Sequence, residues 1–258
     1  MNILNIFSKD KKHTYPIEPQ ILIFTGAGLS EESGIPTFRT GDDGLWNNYN
    51  IDEVCNARNF LLNKEKVFEF YNARKKEYIN SKPNSGHKAI ADIQNQYGKE
   101  NVRIYTSNID NLLEDAGCVD VQHVHGHINH MNCLNCSHHW DIGSQDFKIN
   151  THCPHCDLYK KTKPGVIFFH EKAPMYPQLL SEFGKGNIYK NGQFTPIIKI
   201  VIGSSLQVIS QDDLQVNRGT SILLDPFPLQ NNKFKDVIEK KATEGVEDLK
   251  LLIKKYYV

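Results

Sequence analysis

An excess of charge of either sign is missing from this sequence. Lys+Arg and Asp+Glu both total 30 in 258 residues, for a formal net charge of +0, so no global field draws in nucleic acid or an anionic membrane surface. Small ligands and local protein contacts are the expected partners, with no direct nucleic acid and no membrane. Long apolar runs are missing too. The most apolar stretch, IIKIVIGSSL at 197–206, is broken by Lys199 and by a Gly-Ser turn, short of the roughly 20 apolar residues that cross a bilayer. The first twenty residues carry charges and a proline where a secretory leader needs an unbroken apolar stretch and a small-residue cleavage site. A cytoplasmic location is expected, where thiols stay reduced and paired cysteines hold metal more often than they form disulfides. Internal repeats and low-complexity tails are absent.

A chain of this length with 39% hydrophobic residues can bury a sizeable core and carry a smaller satellite. Short apolar runs at 21–24, 103–106, 121–124, 166–169, 197–202 and 221–224 predict buried strands. Segments of helical spacing lie between them, such as SGHKAIADIQNQYG at 85–98, with Gly98 as its stop. That alternation predicts an α/β fold, a parallel sheet with helices on both faces. Two stretches interrupt it: a polar helical one at 56–81 and a cysteine-rich one at 131–157, expected to form a small lobe together. The main, Rossmann-like domain is then expected at 1–55, 82–130 and 158–258. Residues 185–193, KGNIYKNGQ, predict a flexible loop.

Cys133 and Cys136 form one C-x-x-C, Cys153 and Cys156 a second. Two such knuckles place four thiolates about 2.3 Å from one ion and close a tetrahedron. With no open position for water, one structural zinc ion is expected, adding folding free energy to a segment too small for its own core. Two unrelated cysteine pairs are the plain alternative. His130, His138, His139, His152 and His155 are expected on an exposed hairpin, and Cys55 and Cys118 as buried thiols.

The stretch ILIFTGAGLSEESGIPTFR at 21–39 runs from a strand into a glycine turn and a helix start at 30–33. Gly26 and Gly28 let a backbone approach a pyrophosphate, and a helix N-terminus behind them supplies N–H groups. The dinucleotide fingerprint is incomplete, because Glu31 occupies its third glycine position and Asn48 stands where its acid belongs. The same glycines also suit an ordinary strand-to-helix turn.

Taken whole, GAGLSEESGIPTFR at 26–39 resembles the defining N-terminal motif of the sirtuins, NAD-consuming protein lysine deacylases. TSNIDNL at 106–112 is similar to the family's T-Q-N-I-D-x-L, and HVHG at 123–126 to its catalytic H-G. The knuckles follow in family order, then KPGVIFFHE at 163–171 and GSSLQV at 203–208, which resemble R-P-x-I-V-x-F-G-E and G-T-S-L-x-V. The resemblance covers roughly residues 20–210. It implies NAD as cosubstrate, an acyl-lysine protein or peptide as partner, and nicotinamide, free lysine and O-acyl-ADP-ribose as products.

The resemblance makes His125 the base that takes a proton from a ribose hydroxyl; composition alone does not separate it from His123 and His127. It makes Asn108 and Asp110 catalytic, orienting hydroxyls or a water and holding the carboxamide. Gly26, Ala27, Gly28, Ser30, Thr37, Ser107, Ile109, Gly203, Ser204 and Ser205 would line the cofactor site, with Phe38 and Arg39 in a loop closing over it. Val166, Phe168, Phe169, His170 and Glu171 would meet the peptide.

Tyr71 and Arg74 stand three apart in VFEFYNARKKEY at 67–78 and so share a helix face. A phenol beside a guanidinium can grip a carboxylate. The pair resembles the Tyr-x-x-Arg of the sirtuin branch that removes succinyl and malonyl groups, and Thr37 agrees with that branch. On composition alone they suit an ordinary amphipathic helix. Four positions depart from the family: Ser107 replaces a glutamine, His170 a glycine, Ser210 and Gln211 stand near an absent proline, and Asp225 substitutes for an asparagine at the adenosine ribose. The departures leave open ADP-ribosyl transfer or NAD hydrolysis on the same fold, and a non-catalytic NAD- and zinc-binding adaptor.

Overall fold

The computed structural model describes residues 18–37, 50–158, 161–190 and 192–257. The expectations for Phe38 and Arg39 lie outside the described residues. In chain order the elements are β1 (Ile21–Thr25), α1 (Gly28–Glu31), α2 (Ile51–Val54), α3 (Lys64–Asn80), α4 (Ser85–Tyr97), β2 (Val102–Thr106), α5 (Leu112–Asp115), β3 (Gln122–His123), β4 (Gly126–Cys133) and β5 (His139–Asp141). They continue with β6 (Thr162–Val166), α6 (Tyr176–Phe183), β7 (Asn187–Lys190), β8 (Gln193–Pro196), β9 (Ile198–Ile202), β10 (Thr220–Leu224), β11 (Asp236–Ile238) and α7 (Ala242–Tyr256).

Six strands form one parallel sheet in the order β11-β10-β9-β1-β2-β3. Every residue of β1, β9 and β10 is buried, because both faces are covered. Ile21, Ile23, Ile200 and Ile222 meet Ile90 and Ile93 of α4 and Leu249 and Ile253 of α7 on one face. Leu22, Phe24, Val201 and Leu223 meet Leu179 and Phe183 of α6 on the other. This is the α/β architecture that the alternating runs predict. From β1 the chain builds outward through β2 and β3, then returns to the other side of β1 with β9. The order therefore reverses between β1 and β9, and the loops leaving these two strands flank the crevice where open α/β sheets take ligands.

Two expectations are corrected. The run at 166–169 is not a strand of the parallel sheet: β6 ends at Val166 and pairs antiparallel with β4, in a three-stranded sheet ordered β5-β4-β6. Its apolar side chains mark a second core, not the central sheet. The stretch at 185–193 is no loop, since β7 and β8 form an antiparallel hairpin with Tyr189 opposite Phe194. The Asn-Gly pair at 191–192 is a hairpin signal that the polar composition masks.

A separate apolar cluster joins Val67, Phe68, Phe70 and Tyr71 of α3 to Ile128, Met131, Phe147, Val166 and Phe168. The helical stretch and the cysteine-rich stretch thus share one core. Lys75 and Asn72 tie them further, donating to the Gln145 and Phe147 carbonyls at 2.6 and 3.0 Å. Gly98 ends α4 as expected, with φ 88. Among the described residues no helix is long and apolar enough to cross a membrane.

Candidate active site

The glycines after β1 and β9 are locked against each other. Gly26 N–H donates to the Ile202 carbonyl at 2.9 Å and Gly28 N–H to the Gly203 carbonyl at 2.8 Å. A Cβ on Gly26 would lie 2.7 Å from the Gly203 oxygen, and one on Gly203, where φ is +61, would lie 2.4 Å from the Leu29 nitrogen. Both distances are inside van der Waals contact. The expectation for these glycines changes accordingly: their first role is to let two loops touch, the Gly26 and Gly28 N–H groups are spent on that contact, and the Gly203 N–H donates to the Leu224 carbonyl at 2.9 Å. The helix also begins at Gly28, not Ser30, and lasts one turn, too short for a substantial macrodipole.

Behind this clasp lies a buried polar network. Asn108 Nδ2 donates to the Gly26 carbonyl and to Ser30 Oγ, each at 3.1 Å, and Ser30 donates onward to Asp110 Oδ2 at 3.0 Å. The Leu112 N–H caps Asp110 Oδ1 at 3.0 Å. Burial pushes the Asp110 carboxyl up and outweighs these hydrogen bonds and the nearby His123. His87, which no motif singles out, closes the network with Nε2 3.4 Å from Ser30 Oγ. Its other nitrogen belongs to the Asn84 capping box that starts α4.

The three histidines that composition leaves equivalent have different chemistry. His123 Nδ1 lies 2.9 Å from the Asn108 carbonyl and Nε2 2.8 Å from a Glu114 carboxylate oxygen. Both partners only accept, so both ring nitrogens carry protons. Burial alone would pull His123 down, but Glu114 and the Asn108 carbonyl hold its pKa above the ordinary value. His127 is pulled to about 4 by burial and by His123 and His130, and its Nδ1 accepts the Asn129 N–H. His125 has Nδ1 at 3.2 Å from the Ser107 carbonyl, which fixes the proton there and leaves Nε2 as the acceptor. Burial lowers its pKa against that hydrogen bond. His125 is thus the one of the three whose Nε2 is the accepting, unprotonated nitrogen. That nitrogen is met by the Tyr176 hydroxyl at 2.6 Å, a residue that sequence reasoning misses because α6 reaches His125 only in the fold.

Gly126, directly after His125, has φ 80, and a Cβ there would lie 2.1 Å from the Gly165 oxygen. The register is further fixed by the Ile167 N–H, which donates to the His125 carbonyl at 2.8 Å. In the following segment Phe168 is buried against Tyr71 and Phe60. Glu171 accepts from the Phe168 N–H at 2.8 Å and pairs with the buried Lys163 at 3.1 Å. These two side chains face inward, whereas Phe169 is 44% exposed. His170 adopts φ 69, the left-handed conformation that glycine takes without strain. Backbone hydrogen bonds join Phe169 to Cys55 and Ala57.

Tyr71 and Arg74 share α3 but their polar ends have separate partners. The Tyr71 hydroxyl donates to Cys55 Sγ at 3.4 Å, and Arg74 pairs with Glu77 at 2.5 Å. The phenol and guanidinium, expected from the sequence to share a helix face and grip one carboxylate, are turned to these different partners, and the phenol is buried beside Phe168. Ser204 accepts from the Leu206 N–H and stays half-buried, while Ser205 is exposed. Ser107 donates to the Thr25 carbonyl and Asp225 accepts the Phe227 N–H. Ala27 and Thr37 are half-buried, and Ile109 belongs to the apolar cluster under α3.

The four knuckle cysteines converge, their Sγ atoms within 4.8 Å of one another. Cys133 and Cys156 lie 3.5 Å apart and Cys136 and Cys153 3.6 Å apart. Tetrahedral zinc with Zn–S near 2.3 Å requires about 3.8 Å between sulfurs, so the thiols fit the structural zinc. His139, His152 and His155 are exposed, as expected, but His130 and His138 are half-buried, the first packed on His127 and the second stacked on Trp140. Cys55 and Cys118 are buried.

Buried histidines make stability depend on acid. Burial takes His87 and His127 each to about 4, below the ordinary value near 6.5. Their contribution is complete above the unfolded value and is lost as pH falls from about 6.5 toward 4. His123, with a raised pKa, acts in the opposite direction and is lost as pH rises. Urea unfolding at pH 5 is expected to give about 1 to 2 kcal/mol less stability per depressed histidine than at pH 7. A His87→Gln variant should flatten that pH slope; an unchanged slope would show that His87 is already solvated.

Residues 26–210 match the family model described as the Sir2 family. A relative from Campylobacter jejuni, an NAD-dependent protein deacylase, is 41% identical over 169 residues, which are 66% of this chain and 71% of that protein. Another, from Bacteroides thetaiotaomicron and of the same name, is 31% identical over 242 residues, 90% of this chain and 97% of its own. A serine-to-alanine variant of a Sir2 homologue, solved with ADP-ribose, superposes with a TM-score of 0.76 at 29% identity over 93% of this chain and 94% of its own. Motif order, sheet topology and likeness along the chain agree, and the protein belongs to the Sir2 family.

Proposed function

We propose that this enzyme is an NAD-dependent protein lysine deacylase that releases nicotinamide, free lysine and O-acyl-ADP-ribose. The observation that carries this is His125: a neutral imidazole, its tautomer set by the Ser107 carbonyl, offering Nε2 at the carboxyl rim of the sheet. The residues around the crevice fit the nucleotide. Ala27, Ser204 and Ser205 bring N–H and hydroxyl donors to the phosphate and adenosine end, where Gly26, Gly28 and Gly203 leave no side chain to obstruct it. Asp225 lies at the end of β10 for the adenosine ribose. Asn108 orients hydroxyls or a water, and Asp110, held by Ser30, accepts from the carboxamide. NAD would supply an electrophilic ribose carbon as nicotinamide departs; His125 would accept the proton of the ribose hydroxyl that attacks the acyl carbon. The acyl-lysine backbone runs along 166–171, beside the exposed side chains of Phe169 and His170. Residues 56–81 and 131–157 act as the small lobe, and 1–55, 82–130 and 158–258 as the nucleotide-binding domain.

Nicotinamide release, measured with and without acylated peptide, tests this. Peptide-dependent release supports deacylation, peptide-independent release favours a hydrolase, and no release with either overturns both.

The acyl group is an acidic one, succinyl or malonyl, gripped by Arg74. Glu77 holds the guanidinium in the free enzyme, and a substrate carboxylate takes its place. Burial raises the Glu77 carboxyl against the pull of Arg74. Arg74→Met is expected to lower kcat/KM for succinyl-lysine by about 10- to 100-fold, the worth of a charged hydrogen bond, with acetyl-lysine changed far less. Equal losses on both peptides would rule out the clamp.

A further inference from the structure

His125 is already engaged at the nitrogen that must accept the proton. Nε2 has one lone pair, and the Tyr176 hydroxyl donates to it at 2.6 Å. A substrate hydroxyl cannot donate to the same lone pair while the phenol is there. Either the phenol leaves, or the proton passes through it.

The fold favours the second. Tyr176 opens α6, whose Leu179 and Phe183 are completely buried in the apolar layer under the sheet. Its own ring packs half-buried against that layer, with centroid 5.9 Å from the His125 ring. Its N–H is tied to the Ala173 carbonyl at 3.1 Å. The His125 ring is held from the other side by the Ser107 carbonyl. Both ends of the contact are thus anchored. Burial and the Asp213 carboxylate keep the phenol protonated, so it is ready to donate, and its oxygen still has a lone pair to offer.

We propose that Tyr176 is a proton relay between the substrate hydroxyl and His125. This rests on the deacylase function argued above. In the step, the hydroxyl O–H bond breaks and its proton binds Tyr176 Oη, while the proton already on Oη moves to His125 Nε2. The electron pair left on the substrate oxygen forms the new bond to the acyl carbon, whose double bond breaks as its π pair moves onto the neighbouring heteroatom. The phenol is neutral before and after, and His125 ends as an imidazolium with Nδ1–H on the Ser107 carbonyl. Neither an oxidant nor a further reactant is needed.

Tyr176→Phe keeps the ring and removes the relay. Single-turnover acyl transfer is expected to fall about 10²-fold, at the lower end for general acid–base transfer, with KM for NAD within about threefold. His125→Ala combined with Tyr176→Phe should be no slower than His125→Ala alone, because the two act as one unit. Independently of activity, the His125 Hε1 resonance of the free protein should titrate at higher pH in Tyr176→Phe, since the phenol's hydrogen bond favours the neutral ring. Turnover that is unchanged, or accompanied by a lower KM for NAD, overturns the relay and makes the phenol a stand-in for the substrate hydroxyl. An unmoved Hε1 titration overturns the hydrogen bond itself. Wild-type protein inactive on every acyl-lysine peptide overturns the functional proposal along with the relay, whereas an active wild type with an equally active Tyr176→Phe overturns the relay alone.

Discussion

His125→Ala is expected to lower acyl-lysine turnover by about 10²- to 10⁴-fold, the range that a positioned general base contributes, while calorimetry still detects NAD binding. The split follows from geometry. The side chain touches the Ser107 carbonyl and Tyr176, not the glycine clasp or the Ser30–Asn108–Asp110 network, so its loss removes a proton acceptor and leaves the nucleotide's supports in place. His123→Ala should behave differently. It deprives Glu114 and the Asn108 carbonyl of their partner, and so is expected to lower stability along with activity. Turnover retained in His125→Ala would transfer the role of base to another group.

Stripping zinc with a chelator, or replacing Cys153 with serine, is expected to unfold the cysteine-rich stretch and loosen α3. Structural zinc in small modules is worth about 10 to 16 kcal/mol at neutral pH, far more than the few side chains of this stretch can supply. Met131, Phe147, Phe68 and Phe70 share one cluster, so the loss would travel into the helix carrying Tyr71 and Arg74. Limited proteolysis should cut between Cys133 and Cys156, with one zinc released per chain, while the parallel sheet keeps its cooperative unfolding. A chelated protein as resistant as the native one would show that packing alone holds this stretch.

The parallel sheet was legible because its strands are continuous apolar runs buried on both faces, a pattern that needs only local sequence. The zinc site was legible because ligand spacing is local as well. What stayed hidden depends on contacts distant in the chain. The run at 166–169 carries the apolar signature of a central strand yet belongs to the second core, and only the pairing of β6 with β4 reveals that. Tyr176 lies 51 residues from His125 and no motif links them. The three histidines at 123, 125 and 127 differ by the acceptors facing their rings, a distinction that spacing does not encode. Tyr71 and Arg74 do share a helix, but Cys55 and Glu77 decide where their polar ends point.

The contact between the loops after β1 and β9 has a consequence for how this crevice can evolve. Its gap is fixed by main chain resting on main chain at Gly26, Gly28 and Gly203, with no rotamer able to yield. Affinity for the nucleotide therefore cannot be graded by small side-chain changes at these three positions; a single methyl group would wedge the sheet's two halves apart. Finer adjustment is left to the surrounding serines and acids, whose atoms can turn without moving the frame.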